Sequence, residues 1–464
     1  MQTPLSPSFA RSVAWTLATR FALLPLGLLQ GVLTARALGP QGLGLYSAVL
    51  VDVNLITTLL ALGLPGGLAV LVGEAQGDKQ TLHKLWKWSL RHVLGALFFG
   101  SLILVGTYQF LPSVFAKFVA ERSSWVLVSL AMCVLGQLGR DIHNALLWGS
   151  QKFFAQNRTG LFVSVLQLCV IGILFRCKTL TTETALLLQG TSVWLLCIAF
   201  LWQLSVVSKG SLQPGNGSLR MGTEGAEFPT EKRLYQISFR NFLHILPDML
   251  LFRIDVYLIE HFLAPSLMRH DLGLYQAGVR VAELILLLPG TLNAILFAKA
   301  AAKEAITEKA LLSAKVGLYL GLMSCAGMFL FGKPLLTLFY GDRFAGAYTP
   351  CLLVLLGCSA LCFSGPLAGA LSGASGYPKS VIYAQCAALL CNVGVNLWLL
   401  PKLGMIGAAW ASLAAYVVSA VWISVAFARR FHVPLALFFR PVPLRHLWGQ
   451  IRGQKVQEKA QENV

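Results

Sequence analysis

Apolar stretches of about twenty residues or more recur along the chain, separated by short polar or Gly/Pro-rich connections. A helix rises 1.5 Å per residue, so about twenty residues cross a hydrocarbon layer of ~30 Å. Spans are predicted near 12–36, 43–73, 89–111, 124–146, 158–175, 184–207, 238–262, 273–297, 310–331, 349–371, 380–400 and 405–428. They are read as helices because a lipid-facing backbone must satisfy its own hydrogen bonds, and the stretches lack the short alternation of barrel strands. Ala35-Arg36-Ala37 superficially suits signal cleavage, but the first stretch is long for a signal segment and leads within a few residues into a second span. The expected fold class is an all-α integral membrane protein of about twelve transmembrane helices.

Composition agrees with that pattern. Hydrophobic residues make up 56% of the 464 positions and charged residues 12%, against roughly 45–50% and 25% in soluble domains. The formal charge of +18 points first to nucleic acid, but its distribution points to topology. With the amino terminus inside, 25 of the 37 Lys and Arg fall in the cytoplasmic segments and 9 in the opposite loops. The positive-inside rule then predicts a multi-pass protein with both termini cytoplasmic, and the charge is topology, with no nucleic-acid partner expected. The basic carboxyl tail, from Arg429 to Lys459, suits anionic headgroups of the membrane lipids. Lys79 to Arg91 separates Lys84, Lys87 and Arg91 from Leu82, Leu85 and Trp86 on a helical wheel, as expected at the inner interface. The ten cysteines fall nearly all in apolar spans without Cys-x-x-Cys pairs, and are read as small apolar packing residues.

The longest polar interval, Ser208 to Arg233, reads as a flexible linker dividing six spans from six. The halves share a word: Leu43-Gly44-Leu45-Tyr46-Ser47-Ala48 recurs as Leu272-Gly273-Leu274-Tyr275-Gln276-Ala277, at an offset of 229. A weaker echo sets Ala145-Leu146-Leu147-Trp148-Gly149 against Ala370-Leu371-Ser372-Gly373. These words indicate an internal duplication. With an even number of spans, each half enters from the same side, so the architecture expected is two parallel six-helix repeats around a central cavity. The predicted divisions are an N-terminal bundle over 1–207, a cytoplasmic linker over 208–237, a C-terminal bundle over 238–428 and a cytoplasmic tail over 429–464. Gly63 with Gly67, and Gly317 with Gly321, have the spacing of close helix contacts.

Ionisable residues inside the spans carry the functional signal. Arg20, Arg253 and Arg280 are accompanied by Asp52, Asp248, Asp255 and Glu283. An arginine near the bilayer centre costs about 2.5–3.5 kcal/mol on insertion scales, so these side chains belong in the bundle interior. Two readings stand open. Arg280 can pair with Glu283, and Arg253 with Asp248 or Asp255. Alternatively the arginines form a cationic cavity whose planar forks suit phosphate oxygens. Asp52 lies six residues after Tyr46 and Arg280 five after Tyr275, at similar depth in equivalent helices. Pro25, Pro65, Pro247 and Pro289 lie in the same four spans, where kinks open carbonyls toward a cavity. The histidines are scattered, no set has metal-ligand spacing, and no phosphate-binding loop ends in Lys-Ser/Thr, so no cofactor, metal or catalytic constellation is expected.

Ala35-Arg36-Ala37-Leu38-Gly39-Pro40-Gln41-Gly42-Leu43-Gly44-Leu45-Tyr46, followed by Gly63-Leu64-Pro65, resembles the start of the polysaccharide flippases that export O-antigen and capsule repeat units. Arg253 to Leu258, Leu272 to Arg280, Gly332 to Phe344 and Leu400 to Ala409 resemble later segments of that family. The resemblance implies the multidrug/oligosaccharidyl-lipid/polysaccharide exporter architecture, with two six-helix bundles around a V-shaped cavity of alternating access. It also implies cavity arginines for the substrate pyrophosphate, loosely matched here by Arg20, Arg253 and Arg280. Twelve readable spans, and not fourteen, depart from the peptidoglycan-precursor branch.

The expected function is translocation of an isoprenoid pyrophosphate-linked oligosaccharide for cell-surface polysaccharide synthesis, without enzyme activity. Asp52, Asp255 and Glu283 are the candidates for coupling to protons or sodium. Polysaccharide polymerase or assembly proteins are the candidate protein partners. The rivals are a cation-coupled multidrug exporter of the same fold and a membrane-embedded polymerase.

Overall fold

The structure is a computed structural model describing residues 7–75, 79–110, 124–150, 153–209, 230–287, 290, 296, 306–375 and 379–440. Among the described residues there is no strand. In chain order the helices are α1 (Pro7–Ala61), α2 (Leu64–Glu74), α3 (Lys79–Phe110), α4 (Ser124–Gly149), α5 (Phe153–Arg176), α6 (Thr182–Lys209), α7 (Glu231–Phe262) and α8 (Pro265–Glu283). They continue as α9 (Thr307–Tyr340), α10 (Tyr348–Ser375), α11 (Lys379–Leu403), α12 (Met405–Phe431) and the short α13 (Ala436–Phe439). Eight helical stretches among the described residues are long and apolar enough to cross a membrane. One of them, Ala22–Ala61, holds two spans, because Gly39 (φ 64°, ψ −179°) leaves the helical conformation. Helix α7 falls outside that set because Asp248, Arg253, Asp255 and Glu260 interrupt its apolar character. The protein is an all-α membrane fold of about twelve helices.

Glycine at 39 adopts a positive φ that a Cβ would oppose, and Pro40 then begins the next arm, where its missing N–H costs nothing. Arg36, just before the bend, donates from Nε to the Phe339 carbonyl at 2.7 Å and from Nη2 to the Leu338 carbonyl. Those carbonyls belong to the last turn of α9, where no backbone donor remains to meet them. The Gly39 bend and the end of α9 are therefore tied by one side chain.

The chain divides into two compact units. The first comprises the described residues of Met1–Gly278, Gly332–Cys351 and Val395–Ala409. Within it α4 packs on α6, α1 on α5, and α2 on both α4 and α7. A buried cluster of Leu64, Leu68, Leu71, Leu85, Leu138, Ile142 and Leu234 joins α2, α3, α4 and α7. The amphipathic segment expected at the inner interface forms the start of α3: Leu85 is buried and Trp86 packs on the cluster, while Lys84 and Lys87 are exposed.

The repeated word meets itself here. A Cβ added to Gly44 would overlap the carbonyl oxygen of Arg269, and one added to Gly273 would overlap that of Pro40. Each glycine faces the carbonyl four residues before the other, so the reciprocal contact obeys the same 229-residue offset as the sequence repeat. The second arm of α1 and helix α8 thus cross with local two-fold pseudo-symmetry, backbone against backbone. Gly63 and Gly67 likewise seat α2 on α7 at Ser238, Phe242 and Leu234.

The second unit comprises the described residues of Val279–Phe331, Leu352–Gly394 and Trp410–Val464. Gly317 and Gly321 of α9 meet Cys362 and Ser359 of α10 at the expected close contact. Its core gathers Leu367, Leu371, Ala384, Ile423 and Phe427, with Phe427 and Phe431 ring centroids 4.7 Å apart. All ten cysteines are free thiols, and Cys133, Cys197, Cys351, Cys358 and Cys362 are buried, filling space as expected.

Candidate functional site

The predicted second span, 43–73, is not one helix. Leu62 (φ 45°) and Gly63 (φ 74°) break it, so that α1 ends at Ala61 and α2 begins at Leu64 with Pro65 in its first turn. Pro65 lies just past the break, while Pro25 and Pro247 sit within continuous helices; Pro289 lies outside the described residues. An unsatisfied carbonyl at membrane depth has to find a protein partner. The Gly63 carbonyl accepts from Asn241 Nδ2 of α7 at 3.2 Å, besides its bonds from the Gly66 and Gly67 amides.

The break opens onto a cavity of about 380 Å³ between α1, α2, α4 and α7, within the first unit. Its size falls in the range of about 300–1,000 Å³ typical of small-molecule sites. Helix α4 contributes Gln137, Asp141, Asn144 and Trp148, at steps of four, three and four residues, which place them along one helical face. From α1 come Thr57, Thr58 and Ala61; from α7, Asn241, Phe242 and Ile245. Each amide is anchored on one side. Gln137 Nε2 donates to Asn54 Oδ1 at 2.9 Å, Asn144 Oδ1 accepts from Gln156 Nε2, and Asn241 donates to Gly63. Asp141 Oδ1 is held by Arg140 through Nη2 at 2.8 Å and Nε at 3.0 Å.

A second polar feature lies deeper. Asp255 of α7 is 2% exposed. Its Oδ2 accepts from the Tyr275 hydroxyl at 2.6 Å, and its Oδ1 from Asn396 Nδ2 at 2.7 Å. Each carboxylate oxygen thus meets a donor, which offsets part of the cost of burying it. The tyrosine is the last residue of the repeated Leu-Gly-Leu-Tyr, so that word supplies a helix crossing at Gly273 and a clasp for Asp255 at Tyr275. Asn392, one turn before Asn396 in α11, is also fully buried.

No family model matches the chain, and neither does any curated protein. Solved structures do match over most of its length. "Lipid II flippase MurJ, inward closed conformation" superposes with TM-score 0.68 at 14% identity, covering 92% of this chain and 89% of that one. An inward-facing multidrug resistance MATE family transporter of the MOP superfamily gives TM-score 0.61 at 14% identity, covering 90% and 95%. A mutant of the Vibrio cholerae MATE transporter VcmN gives 0.59 at 13% identity, covering 94% and 100%. The chain shares its fold with these transporters.

Within this fold the predicted residues separate into distinct places. Asp52, in the second arm of α1, is 7% exposed. Arg253 is half-buried in α7, with Nη1 donating to the Phe252 carbonyl at 3.3 Å. Arg280 and Glu283 are half-buried on the last turn of α8, in the second unit, three residues apart. Arg20 lies in α1 with its side chain outside the described ones. The structure joins Asp255 to Tyr275 and Asn396, neither of which was singled out as a site residue. The α4 stripe was also missed, although its signal was present: polar residues at helical period inside an apolar span.

Proposed function

We propose that this MOP-fold protein is a flippase for an isoprenoid pyrophosphate-linked oligosaccharide, moving it across the plasma membrane for cell-surface polysaccharide synthesis. The observation that carries the reading is Arg253, half-buried in α7, the helix read as the seventh span, two residues from buried Asp255, in a fold shared with a lipid II flippase. An arginine at that depth is costly unless it meets an anion or a dipole, and a pyrophosphate supplies two phosphoryl groups for planar forks. In this reading Arg20, Arg253 and Arg280 hold the pyrophosphate while the isoprenoid tail stays in lipid. Asp52, Asp255 and Glu283 take up the coupling proton or sodium ion. The halves 1–207 and 238–428 rock about their joined interface, with the 208–237 linker, the 429–464 tail and both termini on the cytoplasmic side. Lipid-linked oligosaccharide and membrane lipids are its partners, together with polymerase or assembly proteins of the polysaccharide pathway.

The test is movement of a fluorescent isoprenoid pyrophosphate sugar between leaflets of liposomes containing the purified protein. Arg20→Ala, Arg253→Ala and Arg280→Ala each lower the rate at least tenfold; unchanged rates in all three refute charge recognition. A reporter in the 208–237 linker is active in the cytoplasm only, and periplasmic activity overturns the orientation. A second reading, a cation-coupled multidrug exporter, is favoured by the buried carboxylates Asp52 and Asp255 and by the shared fold of the MATE transporters. It predicts export of lipophilic cations under a proton or sodium gradient and no lipid movement.

A further inference from the structure

The cavity beside the Gly63 break differs from a phosphate site. Among the described residues lining it, Asp141 is the one ionisable group, and Arg140 closes on that carboxylate through two nitrogens, so this wall carries no uncompensated charge. An ionic group entering such a space would lose water without gaining a counter-charge, which disfavours phosphate, uronate and lipophilic cation alike. What the wall does offer is hydrogen bonding. Because one end of each amide is already fixed, the other is pre-set: Gln137 Oε1 and Asn241 Oδ1 remain as acceptors and Asn144 Nδ2 as a donor. Thr58 adds a hydroxyl, which can do either, and Trp148, 48% exposed, adds a broad apolar face.

Planar acceptors and donors at fixed angles, beside an aromatic plane, match a ligand with several neighbouring hydroxyls on one side and C–H groups on the other. We infer that this cavity is a subsite for one uncharged pyranose ring, read by Gln137, Asn144 and Asn241 and stacked on Trp148. The inference rests on the flippase reading for the origin of the sugar, which is the head of the lipid-linked oligosaccharide. It adds that the sugar and the pyrophosphate are recognised by different residues, and that the sugar seated here is neutral.

Full-length protein in liposomes is given three isoprenoid pyrophosphate lipids differing only in their heads: a neutral disaccharide, a disaccharide ending in a uronate, and no sugar. The neutral lipid is moved at least tenfold faster than the uronate lipid. Asn144→Ala slows the neutral lipid about three- to tenfold more than the sugarless one, the range of one neutral hydrogen bond. Trp148→Ala has the same selective effect, and Trp148→Phe, which keeps a ring, is impaired less. Equal slowing of all three lipids, or a uronate lipid moved as fast as the neutral one, overturns the assignment. If the wild type moves no lipid, the flippase reading fails separately. The cavity is then read by calorimetric titration of the protein in nanodiscs with the free neutral disaccharide and with tetraphenylphosphonium. Saturable disaccharide binding weakened by Trp148→Ala upholds the subsite; binding of the cation alone, or of neither, overturns it.

Discussion

Alanine at position 273 puts one methyl group where α1 and α8 cross backbone to backbone. Its Cβ would lie 2.6 Å from the Pro40 carbonyl carbon and 3.0 Å from the α-carbon of the same residue, where ordinary contact begins at 3.4 Å. No side chain can swing aside, and the Pro40 carbonyl oxygen lies closer still, so the two helices must part by more than about 1 Å at the crossing, which puts the overpacking strain at the upper end of about 1–3 kcal/mol. At about 3 kcal/mol, and about 1 °C per kcal/mol for an unfolding entropy of about 2.1 cal/mol/K per residue over 464 residues, the thermal unfolding midpoint in detergent falls by roughly 3 °C. Gly44→Ala meets the mirror contact, 3.0 Å from the Arg269 carbonyl carbon and 3.1 Å from the Gly273 nitrogen. One separation relieves both clashes, so the double variant loses at least about 0.5 kcal/mol less than the two single losses together. Gly31→Ala is the control: nothing lies within 4 Å of its added Cβ, and alanine favours the helix by up to about 1 kcal/mol. An unchanged midpoint for Gly273→Ala, or single losses that simply add, would refute the reciprocal crossing.

Asp255→Ala removes the acceptor shared by the Tyr275 hydroxyl and the Asn396 amide, at about 1–3 kcal/mol for each buried group. Asp255→Asn keeps the shape and loses less stability; under the proposed coupling role it also removes the dependence of transport on an imposed ion gradient, and coupled transport in that variant would exclude that role. Gly63→Ala combines a positive φ with a Cβ 2.6 Å from the Phe242 nitrogen, so both the left-handed strain of about 1–2 kcal/mol and a backbone clash act on the break. Its thermal midpoint should fall further than that of Gly66→Ala, whose Cβ meets the Asn241 side chain. The Arg91–Glu231 and Arg233–Glu74 ion pairs, 2.8 and 2.9 Å long and about half-exposed, contribute little. Charge removal at either is expected to shift stability by about 0.2–1 kcal/mol, and less in high salt, in denaturant titrations.

The membrane class, the helix count and the duplication were legible because each is a one-dimensional property. Span length follows from bilayer thickness, and a repeated word shows itself by its offset. Several words that carried the family resemblance prove to be turn words. Gly39, Gly341 and Gly404 all have positive φ, at the bend of α1 and at the ends of α9 and α11. The break at Leu62 and Gly63 was not legible, since the apolar stretch runs through it unbroken and Pro65 is compatible with the first turn of a helix as well as with a kink.

What the chain determined alone was which segments enter lipid, because transfer from water depends on composition summed over each segment. The partners of the polar residues inside those segments were decided only by tertiary structure. Asp255 faces Tyr275, 20 residues away, and Asn396, 141 away, while Gln137 reaches back to Asn54. Hydrogen bonds between helices depend on rotation and crossing angle, quantities set by packing at contacts such as Gly44 with Gly273 and absent from any local pattern.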